Sequence, residues 1–188
     1  MTYKGLPVFD LTITDDNFFD NVSLVDCPAI EREFIKFSKD AEIKFSVNDE
    51  KRVVTGPVLI PGQMVYRRNG DREFYVRFNE QSIEEMALRF FKDHRNTEGN
   101  VMHQVEVDGV TYFESYLLNK DRNIAPVEFA DLPTGTWIMS AKIENDDLWN
   151  LVKNGDIRGF SIDATLTVTP AKDEIDTLED LLDYIKSK

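Results

Sequence analysis

Val101-Met102-His103-Gln104-Val105-Glu106-Val107-Asp108-Gly109-Val110-Thr111-Tyr112-Phe113-Glu114-Ser115-Tyr116-Leu117-Leu118 contains two alternating runs around Asp108-Gly109. Successive side chains of a strand point to opposite faces, so Val101, His103 and Val105 share one side of the first run. Asp-Gly between alternating runs is the strongest short-range hairpin signal. The segment therefore predicts two antiparallel strands turning at 108–109, with His103 inside the first and Glu114 near it across the ladder.

The rest of the chain extends this pattern. Val22–Val25, Arg52–Thr55, Val58–Ile60, Glu73–Phe78, Thr136–Ile143 and Ile157–Val168 carry strand signals. Gly56-Pro57 and Pro61-Gly62 mark turns or bulges between them. Two segments read as helices. In 82–94, Ser82 and Glu85 have capping-box spacing, and Ile83, Met86, Ala87, Phe90 and Phe91 form one apolar stripe. In 145–154, Leu148, Leu151 and Val152 line the inner side and Gly155 ends the helix. Residues 29–39 fit a short helix or a second strand, and 176–188 a short amphipathic helix. Too few helices stand between strands for a βαβ fold. The expectation is a mainly β, α+β chain: an antiparallel β-barrel or curled sheet with helices packed outside. Its parts would be an N-terminal arm over 1–40, a barrel over 41–170 and a C-terminal helix over 171–188.

Composition narrows the function. The 188 residues carry 41% hydrophobic and 11% aromatic side chains, enough for a packed core. No apolar run approaches the roughly 20 residues that span a bilayer. The start, MTYKGLPVFDLTI, lacks the basic and apolar blocks of a secretory leader. A net charge of −13 disfavours nucleic acid and anionic membranes as partners. It fits solubility, or attraction to a basic segment. The lone Cys27 excludes an internal disulfide and reads as an inert thiol. Two histidines nine positions apart match no zinc spacing, so neither metal nor cofactor is expected.

Chemistry concentrates in few residues. His94, in Lys92-Asp93-His94-Arg95, reads as a solvated residue at a helix C-terminus. His103 stands where an apolar side chain is usual. In Ile157-Arg158-Gly159-Phe160-Ser161-Ile162-Asp163-Ala164, Phe160, Ile162 and Ala164 take one face, and Ser161 and Asp163 the other. On pattern alone His103 reads as a half-buried structural residue and Ser161 as the polar side of a strand. A serine hydroxyl becomes a nucleophile when a nearby imidazole removes its proton, and a third group fixes that imidazole. Whether Ser161 and His103 meet depends on the fold.

The segment Gly135-Thr136-Trp137-Ile138-Met139, then Asp146-Asp147-Leu148-Trp149, then Val152-Lys153-Asn154-Gly155-Asp156-Ile157-Arg158-Gly159-Phe160-Ser161-Ile162, resembles the XkdF-like phage serine proteases. So do His103-Gln104 and Phe113-Glu114-Ser115-Tyr116 upstream. The resemblance covers residues 50–168 and extends to the wider phage prohead proteases, which are similar in fold to the herpesvirus capsid-maturation protease, assemblin. It implies a β-barrel surrounded by helices, Ser161 as nucleophile and His103 as general base. Glu114 is the leading third member. Asn21-Val22-Ser23-Leu24-Val25 resembles a segment that follows the serine strand in the wider group, which implies a permuted strand returning to the same place. The acidic position of that segment holds Asn21 here, with Asp20 beside it. Glycines such as Gly135 or Gly56 could serve an oxyanion hole.

The implied role is an endopeptidase in the immature phage head, in the bacterial cytoplasm. It would cleave scaffolding and capsid segments, with self-association possible. Two other readings stay open: a catalytically idle assembly module on the same fold, and a small-molecule-binding barrel of host origin.

Overall fold

In the computed structural model the described residues are 2–13, 18–25, 46–48, 51–69, 72–165 and 167–170. Cys27, the segment at 29–39 and the amphipathic stretch at 176–188 lie outside them. In chain order the elements are β1 (Thr2–Tyr3), β2 (Leu6–Thr12), β3 (Phe18–Val25), β4 (Ser46–Asn48), β5 (Val53–Leu59), β6 (Val65–Asn69), β7 (Arg72–Phe78) and α1 (Glu80–Lys92). There follow β8 (Gly99–Val101), β9 (Val105–Val107), β10 (Val110–Leu117), β11 (Trp137–Ile143), α2 (Asp146–Asn154), β12 (Gly159–Thr165) and β13 (Thr167–Pro170).

The strands form three sheets, β1-β2-β7-β6 with β13 also on β2, β10-β11-β5-β4, and β12-β3-β8-β9. The α+β expectation holds at that level. Pairing is not uniformly antiparallel, because β2 with β7 and β3 with β8 run parallel. Among the described residues no sheet closes on itself. The Asp10–Arg77 ion pair joins register partners across the β2–β7 ladder.

The hairpin expected at Asp108-Gly109 does not form. β9 folds back on β8, and β10 pairs with β11 in another sheet. Gly109 is a corner between the two, its carbonyl bonded by the Glu144 amide at 2.7 Å. Burial is the physical reason. Val110 and Tyr112 reach the main core from β10, and that gain outweighs a local turn preference. Of the turn or bulge expected at Gly56-Pro57 the second forms: the pair sits inside β5, opposite Met139 and Ile138, beside a register shift. A bulge accommodates a residue lacking an N–H.

Both helices form, with changed ends and faces. The N-cap of α1 is Asn79, whose carboxamide accepts from the Ser82 amide at 2.7 Å. Ser82 instead donates its hydroxyl to the Leu11 carbonyl, and Glu85 pairs with Arg89 one turn on, so the Ser82–Glu85 box is absent. Ile83, Met86 and Phe90 are buried, whereas Phe91 is exposed. In α2 the left-handed Gly155 ends the helix as expected, and Asn145 caps its start, its carboxamide accepting from the Leu148 amide at 3.0 Å. Trp149 is buried where Leu151 was expected, and Leu151 is exposed.

The main core lies between the sheets and α1. Phe90 makes edge contacts with Tyr112 and Trp137, and Tyr112 leans on Phe160 of the serine strand. Strand β11 is buried from Trp137 to Ala141 on both faces, which explains its near-continuous apolar run. Tyr112 donates to the Val22 carbonyl at 2.8 Å, tying β10 to β3. Burial raises its phenol above the ordinary range. The neutral phenol is thus the form the fold prefers. Its contribution is complete below about pH 10, the usual tyrosine value, and is lost as pH rises past it. Tyr112→Phe should cost about 1 kcal/mol near neutrality. It should also flatten the alkaline decline in urea unfolding above about pH 10; a decline as steep as the parent's would contradict this.

Candidate active site

β12 alternates as its sequence requires. Phe160 enters the core and Ile162 packs against it, so Ser161 takes the opposite face. Its antiparallel neighbour is β3, where Val22 and Leu24 are core residues and Ser23 stands in register with Ser161. Directly opposed residues share a face, with Cβ atoms about 4.5–5.5 Å apart. Ser23 is 0% exposed and Ser161 7%.

On the other side of β3 runs β8, with Ser23 in register with Asn100. The Ser23 hydroxyl donates to Asn100 Oδ1 at 2.8 Å, and its oxygen lies 3.0 Å from His103 Nδ1. His103 is therefore not within a strand, as its alternation predicted. It occupies the turn from β8 to β9, and Met102 and His103 both adopt left-handed backbone, at φ 55° and 57°. Side chains with a Cβ pay about 1–2 kcal/mol each for that conformation. The turn is held by Met102 N to Leu24 O at 3.0 Å and Gln104 N to Val101 O at 3.1 Å. Strain of this kind clusters where a side chain must be aimed. Here it delivers an exposed imidazole to the Ser23 hydroxyl, beside Ser161.

Glu114 is elsewhere. It accepts from Ser140 at 2.6 Å, and Ser140 also contacts Thr55 at 2.8 Å, across β10, β11 and β5. The expected approach to His103 needed a β9–β10 ladder; β9 pairs with β8 instead. Asn21 is in register with Asp163, two positions from the serine pair. The described side chains do not include these two or Asp20. The Gly135 amide is taken by the Leu118 carbonyl at 2.8 Å, which removes it as an oxyanion donor, and Gly56 of β5 stands opposite Met139 of β11. His94 is exposed at the end of α1.

The residues that sequence reasoning missed are Ser23 and Asn100. Ser23 had a legible sign, a hydroxyl between two core aliphatics in Val22-Ser23-Leu24. Asn100 had none, because a parallel pairing chose it. Gly99, just before it, is packed tightly. A Cβ there would stand 2.5 Å from the Val107 carbonyl oxygen and 2.9 Å from Val110 Cβ. Gly99→Ala should push β8 off β9, costing about 1–3 kcal/mol and displacing the His103 turn. Urea unfolding reads the stability loss, and an unchanged midpoint would refute the close approach.

Fold and site together define a mainly β domain in which Ser23, in register with Ser161, contacts the His103 imidazole. Residues 40–169, more than half of the chain, match the family described as "Putative phage serine protease XkdF". The chain belongs to that family. Neither the curated proteins nor the solved structures compared with the chain give a match.

Proposed function

We propose that this chain is a phage prohead-maturation endopeptidase in which Ser161 is the nucleophile and His103 the general base. The observation that carries the reading is the register of Ser161 with Ser23, whose hydroxyl contacts His103 Nδ1 at 3.0 Å. Two segments far apart in sequence thereby bring one hydroxyl and one imidazole to the same patch. Ser161 attacks the scissile carbonyl while the imidazole takes its proton. The leaving amine receives that proton, and water then hydrolyses the acyl-enzyme. The substrates in this reading are scaffolding and capsid segments within the immature head in the bacterial cytoplasm, and membership of a phage serine protease family supports it. The net charge of −13 favours basic stretches in such substrates. In this reading the three sheets wrap one core as an assemblin-like barrel, the arm over 1–40 supplies a permuted strand beside the serine strand, and copies of the chain self-associate.

The Nδ1 bond of His103 goes to Ser23 and not to Ser161. That observation favours a second reading, an idle assembly module on the same fold. A serine-reactive fluorophosphonate, with the adduct located by mass spectrometry, separates the two. Protease chemistry requires an adduct on Ser161 that His103→Ala abolishes. No adduct under conditions that promote self-association, or one indifferent to His103, supports the idle module.

A further inference from the structure

We propose that Ser23 and Asn100 are positioning residues that hold His103 as its Nδ1–H tautomer, in the place a triad carboxylate would occupy. The inference rests on the protease reading for its consequence but not for its chemistry.

Hydrogen-bond accounting leads to it. A carboxamide oxygen only accepts. Since Asn100 Oδ1 lies 2.8 Å from Ser23 Oγ, the Ser23 proton is committed to Asn100. A hydroxyl has one proton, so Ser23 can meet His103 Nδ1, at 3.0 Å, only as an acceptor. Nδ1 must then carry the hydrogen. A neutral imidazole has one N–H, which leaves Nε2 with the lone pair a base requires. The chain of donors runs from His103 Nδ1–H to Ser23 Oγ and from Ser23 Oγ–H to Asn100 Oδ1.

Burial makes this arrangement specific. Ser23 is 0% exposed, so water cannot substitute for either partner without moving the ribbon. The backbone sets both distances: Ser23 and Asn100 are register partners in parallel strands, and the Met102 amide is fastened to the Leu24 carbonyl. A neutral hydroxyl–amide pair differs from a carboxylate in one respect. It orients the ring without itself contributing a negative charge. Ser23 also lies outside residues 40–169, so the arrangement draws on a segment beyond the family match.

The test is imidazole nitrogen NMR on the full chain with labelled histidine, in parallel with the rate of fluorophosphonate labelling at Ser161. The parent should show the Nδ1–H tautomer at His103 when the ring is neutral. Ser23→Ala should shift His103 toward Nε2–H and slow labelling by about ten- to a hundredfold, the range typical of lost orienting partners. Ser23→Thr keeps the hydroxyl and should restore both. Asn100→Asp should preserve the tautomer and move the acid limb of the labelling profile to higher pH, because an added carboxylate favours the imidazolium. A parent with Nε2–H overturns the proposal, since every donor would then run the opposite way, from the Asn100 amide nitrogen through Ser23 to Nδ1. A tautomer unchanged by Ser23→Ala also overturns it. Nδ1–H that depends on Ser23 without any Ser161 adduct would leave the relay standing and remove the protease reading.

Discussion

If the chain is the proposed protease, Ser161→Ala should lower cleavage of a scaffold or capsid segment by roughly three to six orders of magnitude, with folding intact. Losses of this size follow removal of the nucleophile in serine hydrolases, where the remaining rate comes from binding and oxyanion stabilisation. Quantified fragments from the purified chain and its partners, at equal enzyme concentrations, give the measurement. The fold should tolerate the change because Ser161 lies on the face of β12 away from the core, and alanine keeps its backbone ladder to β3. Ser23 sharpens the test. It is closer to the imidazole than a casual reading of the motif suggests, yet it is fully enclosed and its proton is held by Asn100. Ser23 has no exposed surface for a substrate carbonyl to reach, whereas Ser161 keeps 7%. Ser23→Ala should therefore slow the reaction by far less than Ser161→Ala. The reverse order, or a Ser161→Ala chain that cleaves as well as its parent, would end the assignment.

Phe90→Ala should cost about 3–5 kcal/mol, the range for emptying a buried aromatic site. Phe90 is fully buried in α1 and touches Tyr112 and Trp137 edge-on, so it joins the helix to β10 and β11. Such edge contacts add about 0.5–1.5 kcal/mol each beyond area burial. Neighbouring strands are fixed by their ladders and can fill the void only in part. For a chain of this size the loss corresponds to a fall in melting temperature on the order of 6–20 °C. Urea unfolding should show a lower midpoint with an unchanged slope. A cost under about 1 kcal/mol would mean that α1 does not seal the core as described. Leu88, 60% exposed on the same helix, is the internal control: Leu88→Ala should fall within about 0.5 kcal/mol of the parent, as surface changes usually do.

The amino-acid sequence by itself determined what depends on near neighbours. Alternation in Phe160-Ser161-Ile162 put the serine on the polar face of a strand. Periodicity in Ile83, Met86 and Phe90 produced a helix with a buried stripe, and Asn145 and Gly155 bounded a second one. Motif order pointed to the family. Tertiary structure decided whatever depended on which strands meet. Asp108-Gly109 carried a local hairpin preference, but burying Val110 and Tyr112 sent β10 to β11, and Glu114 went with it to Ser140. His103 left its apparent strand for a strained turn because β9 had to return along β8. Ser23 and Asn100 became neighbours of the imidazole through parallel pairing, which leaves no mark in local pattern. Turn and strand preferences are worth around a kilocalorie per mole, while burial of a large apolar side chain is worth about two to three, so pairing follows the core and the site follows the pairing.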